Sequence, residues 1–199
     1  DGKIVYIKRI RRGEVPIAVK ERREIRLEEI TKTDYEEQCS EGYIIGIFMS
    51  DLDVHVNRAP IAGRIENISY FKSKNLSMLK MLFRSFFGRK GEIYTKNDYI
   101  LQNERNTICI KGQIPVYVIQ IAEIYVNKIE CWVREGQNVA RGSRVGRIIM
   151  GSQVDTVFPF SEQMEIAVKP GERVKAGETV LARLHRTGHH AIGDTSQKD

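Results

Sequence analysis

Partial alternation of apolar and polar positions, short apolar runs and turn-rich breaks mark this chain as strand-forming, and one stretch has a different spacing. Ile4, Tyr6 and Ile10, and then Val15, Ile17 and Val19, alternate in part with polar neighbours. That spacing predicts short strands, broken by a turn at Arg12-Gly13. Residues 31–42 are polar and read as a loop. Tyr43 to Phe48 (YIIGIF) is a continuous apolar run with the length of a buried strand. The turn-rich DLDVHVNRAP follows, and Ile61 to Ile68 resumes a strand pattern. Strands are predicted again at Thr107–Lys111 and Val116–Val126, the second dense in β-branched and aromatic residues. The exception is 76–87, LSMLKMLFRSFF. There Leu79, Leu82, Phe83 and Phe86 fall at i, i+3, i+4 and i+7, which is helical spacing.

The last third contains an echo. Gly136-Gln-Asn-Val139-Ala-Arg-Gly142 matches Gly171-Glu-Arg-Val174-Lys-Ala-Gly177, and a valine follows each three residues on, Val145 and Val180. Glycine turns with a buried valine between them predict two similar β corners, as in barrel-sandwich folds. The expected fold class is mainly β with a minor α component: a barrel-sandwich-like β core with the GxxVxxG repeat and one or two short helices. One domain is expected over 1–184, and the polar tail 185–199 is expected to be disordered.

Composition narrows the picture little. A chain of 199 residues, 41% hydrophobic and 29% charged, reads as an ordinary globular domain. Cys39, Cys109 and Cys131 lie far apart without a CxxC pair, so neither a zinc site nor a disulfide framework is suggested, and a reducing compartment fits. No metal is expected. The net charge of +6 favours an anionic partner, nucleic acid or membrane surface. No run reaches the ~18 apolar residues of a membrane span, and no signal peptide is visible. The chain opens on Asp1-Gly2 without an initiator Met, so upstream sequence is expected.

Three motifs carry the chemistry: Asp1-Gly2-Lys3; Phe48-Met-Ser-Asp-Leu-Asp53-Val-His55-Val-Asn-Arg58-Ala-Pro60; and Gly151-Ser152-Gln-Val-Asp155. With Asn103-Glu-Arg-Asn106 and Ile148-Ile-Met-Gly151, their order and spacing resemble the phosphatidylserine decarboxylase proenzymes of the short prokaryotic type, from Asp1 to about Leu184. The resemblance implies self-cleavage between Gly151 and Ser152, giving a β chain 1–151 and an α chain 152–199 that stay packed together. It implies that Ser152 is the nucleophile and becomes a covalent pyruvoyl group, the cofactor, which takes the substrate amine as a Schiff base. His55 is the implied general base and acid, and Asp1 the carboxylate that orients it. Asp53, two residues from His55, is the rival partner. An activated serine needs such a base, held by a third group. His55 is also the only histidine before the C-terminal region, where His185, His189 and His190 lie. Many relatives carry a second histidine three residues on, where this chain has Arg58.

The implied reaction converts phosphatidylserine to phosphatidylethanolamine and CO2, or acts on archaetidylserine by the same chemistry. The expected partners are a serine-headed phospholipid and an anionic membrane surface at the cytoplasmic face of the cell membrane. A homodimer is left open. Leu79, Leu82, Phe83 and Phe86 are either the packed face of a core helix or the candidate entry for lipid, the second favoured because basic residues flank them and no acid occurs from Asn67 to Gly91. A reading from another class is a biotinyl- or lipoyl-like carrier, which shares the repeated corners. It needs a lysine at a hairpin tip, and Met164-Glu165 offers a glutamate there. A nucleic-acid-binding role is not expected, because no recognition motif is present.

Overall fold

The computed structural model describes residues 1–10, 41–71, 104–122, 129–149 and 152–185. The candidate helix at 76–87, the strands expected at 15–19, the tail beyond His185 and Gly151 itself lie outside the described residues. In chain order the strands are β1 (Gly2–Ile10), β2 (Gly42–Met49), β3 (Val56–Arg58), β4 (Gly63–Phe71), β5 (Arg105–Lys111), β6 (Pro115–Ala122) and β7 (Ile129–Cys131). They continue with β8 (Asn138–Val139), β9 (Arg144–Ile148), β10 (Ser152–Pro159), β11 (Met164–Ile166), β12 (Arg173–Val174) and β13 (Ala182–Leu184). The described part is thus mainly β, and none of its elements is a helix. No helix there is long and apolar enough to cross a membrane.

One eight-stranded sheet, in the order β12-β1-β2-β10-β6-β5-β4-β8, organises the molecule. Two small sheets, β11-β13 and β3-β9-β7, accompany it. The central strands are buried on both faces, the largely apolar β6 from Val116 to Ala122 and the more polar β10 from Ser152 to Val157. One face of the sheet carries a cluster of Met49, Ile65, Ile108, Ile110, Val118, Val154 and Ile148. A second cluster, around Ile4, Ile45, Val116, Phe158 and Val174, continues it.

The two GxxVxxG segments occupy the two edges of this sheet in the same way. Val174 pairs with Gly2 at one edge and Val139 with Gly63 at the other. Ile4 N donates to Glu172 O at 2.8 Å and accepts Gly171 N at its own carbonyl at 2.7 Å. Ile65 does the same with Gln137 O and Gly136 N, both at 2.8 Å. Each long strand then bulges at the same offset, between Ile4 and Tyr6 and between Ile65 and Asn67. The four motif glycines have φ of 81–90°, the left-handed region where a side chain is strained. The likeness ends at the following valines. Val145 is buried, whereas Val180 is 46% exposed. Trp132 N donates to Val145 O, and its counterpart Ala167 N donates to Leu181 O. The second segment is one residue longer, so Leu181 takes the inward place that sequence spacing alone would give to Val180.

Candidate functional site

Ser152 opens β10, where it pairs with Met49 of β2 on one side and Ala122 of β6 on the other. It is 2% exposed, and its Oγ is buried without a hydrogen-bond partner. His55 precedes β3. Its carbonyl accepts Ile148 N at 3.2 Å, and the next residue, Val56, pairs with Arg147. The backbone that leads into Gly151-Ser152 therefore runs beside His55. The imidazole Nδ1 lies 2.8 Å from the main-chain carbonyl of Asp53. A carbonyl only accepts, so Nδ1 carries a proton, and in the neutral ring it is Nε2 that presents the lone pair. That Nε2 is likewise buried and partnerless. An unpaired buried polar atom costs about 1–3 kcal/mol. Two of them, one a base and one a hydroxyl, sit on neighbouring backbone segments.

The loop that aims His55 is built by Asp53. Its Oδ2 accepts Ser50 N at 2.9 Å and Ser50 Oγ at 2.6 Å, and Asp53 N returns a bond to Ser50 O at 2.8 Å. Its Oδ1 accepts Arg173 of β12. Burial pushes this carboxyl towards the neutral form. The Ser50 bonds and the Arg173 charge outweigh burial and hold its pKa below the usual carboxylate value. So Asp53 meets His55 through its carbonyl, while its carboxylate staples the loop to β12. Asp1 closes the loop from the other side. Its main-chain nitrogen donates to Val54 O at 3.2 Å, and its Oδ1 accepts Ala176 N at 2.9 Å.

Ser152, Val154, Thr156 and Phe158 alternate onto one face of β10. The last three, with Ile47, Met49, Val116 and Val118, floor a cavity of about 950 Å³. Its mouth carries Arg58, Arg141, Lys175 and Arg183 beside Asp1 and Glu178. An apolar floor with a mainly cationic rim suits an anionic amphiphile. Arg58 Nη1 donates to Gly142 O at 2.7 Å. Among the described residues no cluster of three or more His, Cys, Asp or Glu could hold a metal. Met164 and Glu165 lie within β11, paired with Leu184 and Arg183, so no hairpin-tip lysine appears there.

Two parts of this neighbourhood escape sequence reading. One is the Asp53 carbonyl, which any residue type could supply. The other is a chain of buried amides, Asn106, Gln120 and Asn57, behind the site. Gln120 did leave a signal, as the one amide in the apolar run VYVIQIA.

Residues 1–182 match the family model described as phosphatidylserine decarboxylase. The chain is 39% identical over 147 residues to a protein of Methanothermobacter thermautotrophicus provisionally named an archaetidylserine decarboxylase proenzyme, covering 73% of this chain and 57% of that one. It is 35% identical over 156 residues to a phosphatidylserine decarboxylase proenzyme of Prosthecochloris aestuarii, covering 78% and 64%. A Syntrophus aciditrophicus protein of the same name is 37% identical over 139 residues, covering 69% and 57%. Matches to such relatives span less than two thirds of their length, from 57% to 65%.

Proposed function

The chain belongs to the phosphatidylserine decarboxylase family, and from that premise we propose that it is a proenzyme that cuts itself between Gly151 and Ser152 and then decarboxylates a serine-headed phospholipid. The observation that carries the reading is the pair of partnerless buried atoms, His55 Nε2 and Ser152 Oγ. The imidazole is held in the tautomer that accepts a proton, and the hydroxyl has no competing acceptor. In the cut, His55 takes the Ser152 hydroxyl proton as Oγ bonds to the Gly151 carbonyl carbon. The Gly151–Ser152 C–N bond breaks, and the nitrogen leaves as an amine after gaining a proton. Loss of the Ser152 Cα proton with breakage of its Cβ–Oγ bond then frees the Gly151 carboxylate and leaves an enamine. That enamine takes a proton at Cβ to become an imine, which water hydrolyses to the ketone, releasing ammonia.

Ser152 Oγ supports no neighbour, so its departure on conversion of Ser152 to a pyruvoyl group breaks no side-chain hydrogen bond, and in that respect the residues around it fit the group. Such a group supplies a sink for the electrons left when CO2 departs. His55 then holds the proton that the substrate carbon must regain. The Asp53 carbonyl keeps its ring oriented. Asp1, through Val54 and Ala176, braces the loop that carries His55 and so orients it indirectly. The cationic mouth attracts the phosphodiester, and the apolar floor receives the chains. The net charge of +6 supports work at an anionic membrane surface.

The test is intact mass of the purified protein beside Ser152→Ala and His55→Ala. The expected outcome is two pieces for the wild type, the smaller with a blocked N-terminus, and a single uncut chain for both variants. The cut wild type should release CO2 from vesicles of phosphatidylserine, of diether archaetidylserine, or of both, which decides the lipid core. A wild type that stays uncut, or a His55→Ala protein that cuts at the wild-type rate, would overturn the reading.

A further inference from the structure

The VHVNR and NERN motifs, far apart in sequence, meet through one side chain. Asn106 Nδ2 donates to Gln120 Oε1 at 2.8 Å, and Gln120 Nε2 donates to Asn57 Oδ1 at 2.7 Å. Asn57 Nδ2 ends the chain on Met49 Sδ at 3.8 Å. All three amides are buried, Gln120 at 0% exposure, Asn106 at 1% and Asn57 at 7%. They point the same way, each NH2 donating and the carbonyls of Gln120 and Asn57 accepting, so each bond polarises the next. The ends matter. Asn57 is on β3, two residues after His55, and Met49 is the register partner of Ser152. Gln120 is on β6, two residues before Ala122, the other partner of Ser152. Space is cut to fit. Gly146, which pairs with Asn57, leaves no room for a side chain: a Cβ there would lie 2.3 Å from Glu130 O and 3.0 Å from Gln120 Nε2.

We propose that Gln120 is a positioning residue: its amide, oriented by Asn106, locks the strand that carries His55 onto the strands that flank Ser152. This inference rests on the self-cleavage reading above. β3 is only three residues long and belongs to a separate small sheet. Among the described residues the backbone of β3 pairs with β9 alone. The Gln120–Asn57 bond ties it across to the large sheet. A purely packing role would be met by any apolar residue of this size in a strand this apolar. An amide with both ends used is a costlier choice, because each unpaired end costs about 1–3 kcal/mol.

The experiment compares self-cleavage rates of the complete protein by intact mass, across pH, at temperatures where each variant is folded by circular dichroism. Ile119→Val, on the same strand but facing away from Gln120, serves as the comparison for lost packing. Gln120→Leu should slow cutting at least tenfold, while Ile119→Val stays within about twofold of wild type. Gln120→Glu keeps both bonds only while its carboxyl is protonated, since the OH can then donate to Asn57 Oδ1. Its rate relative to wild type should fall as pH rises through that titration. If Gln120→Leu does not fold, the Gln120→Glu profile decides. Cutting by Gln120→Leu at the rate of Ile119→Val, or a Gln120→Glu ratio that is flat with pH, overturns the inference. A wild type that never cuts would instead sink the self-cleavage reading.

Discussion

Asp155, three residues beyond the proposed cut, is fully buried on the face of β10 opposite Ser152. Tyr6 Oη donates to its Oδ2 at 2.6 Å, and Gln153 Nε2 to its Oδ1 at 2.7 Å. Burial pushes its pKa up, from 3.8 to about 6, and those two bonds with the Lys8 charge only partly oppose it. Lys8 is itself lowered by burial, so the pair is not a simple ion pair. The consequence for stability has a definite sign. Below pH 3.8 the carboxyl is neutral in both folded and unfolded chains. As pH rises towards 6 the unfolded chain ionises first, and stability falls through that window by up to about 3 kcal/mol. Asp155→Asn has no such charge to bury. Its stability relative to wild type should therefore rise between pH 4 and pH 7, read from urea midpoints at several pH values. A gap that does not change with pH would show that Asp155 carries no strained charge. In the proposed reaction His55 and Ser152 make the other use of burial, where an unpaired atom is kept ready rather than satisfied.

The short edge strands β8 and β12 show how one sequence motif acts differently in two places. Gly142 and Gly177 hold equivalent left-handed turns, at φ 83° and 81°. Nothing lies within 4 Å of a Cβ built on Gly142, whereas at Gly177 it would lie 2.8 Å from Arg58 Cδ. Gly142→Ala should thus cost only the backbone strain, about 1–2 kcal/mol. Gly177→Ala should cost more, because it also pushes Arg58 off the Gly142 carbonyl. Chemical denaturation of both variants checks the order, and equal losses would show that Arg58 yields freely. The strands at Ile61–Ile68 and Thr107–Lys111 were legible in sequence because their patterns are local, whereas β10, with Ser152, Gln153, Asp155 and Thr156 among its buried residues, was not. β2 was legible because YIIGIF is too short and too β-branched for a buried helix. The one-residue slip that puts Leu181 inward instead of Val180 was not legible, since it depends on where β13 meets β11.

On the scale of the molecule, the proposed cut falls at the entrance to a central strand. The piece that begins at Ser152 supplies β10, flanked by β2 and β6 from the other piece, and β12, the edge beside β1. Separating the pieces would expose the apolar residues of β10 and break two full ladders. After cutting they should elute together in size-exclusion chromatography and separate only in denaturant. Dissociation in native buffer would contradict this topology. What the sequence determined by itself is the β character of the chain and the short motifs, His55 and Gly151-Ser152 among them, on which the proposed reaction rests, because these follow from local periodicity and from residue identity; that Ser152 opens a central strand was not among them. Only the tertiary structure decided that Asp53 meets His55 by its carbonyl, that Asp1 braces the loop through Val54 and Ala176, and that Asn57, Gln120 and Asn106 form one buried chain. Main-chain acceptors leave no mark on residue identity, and the direction in which a buried amide points depends on strands that meet only after folding.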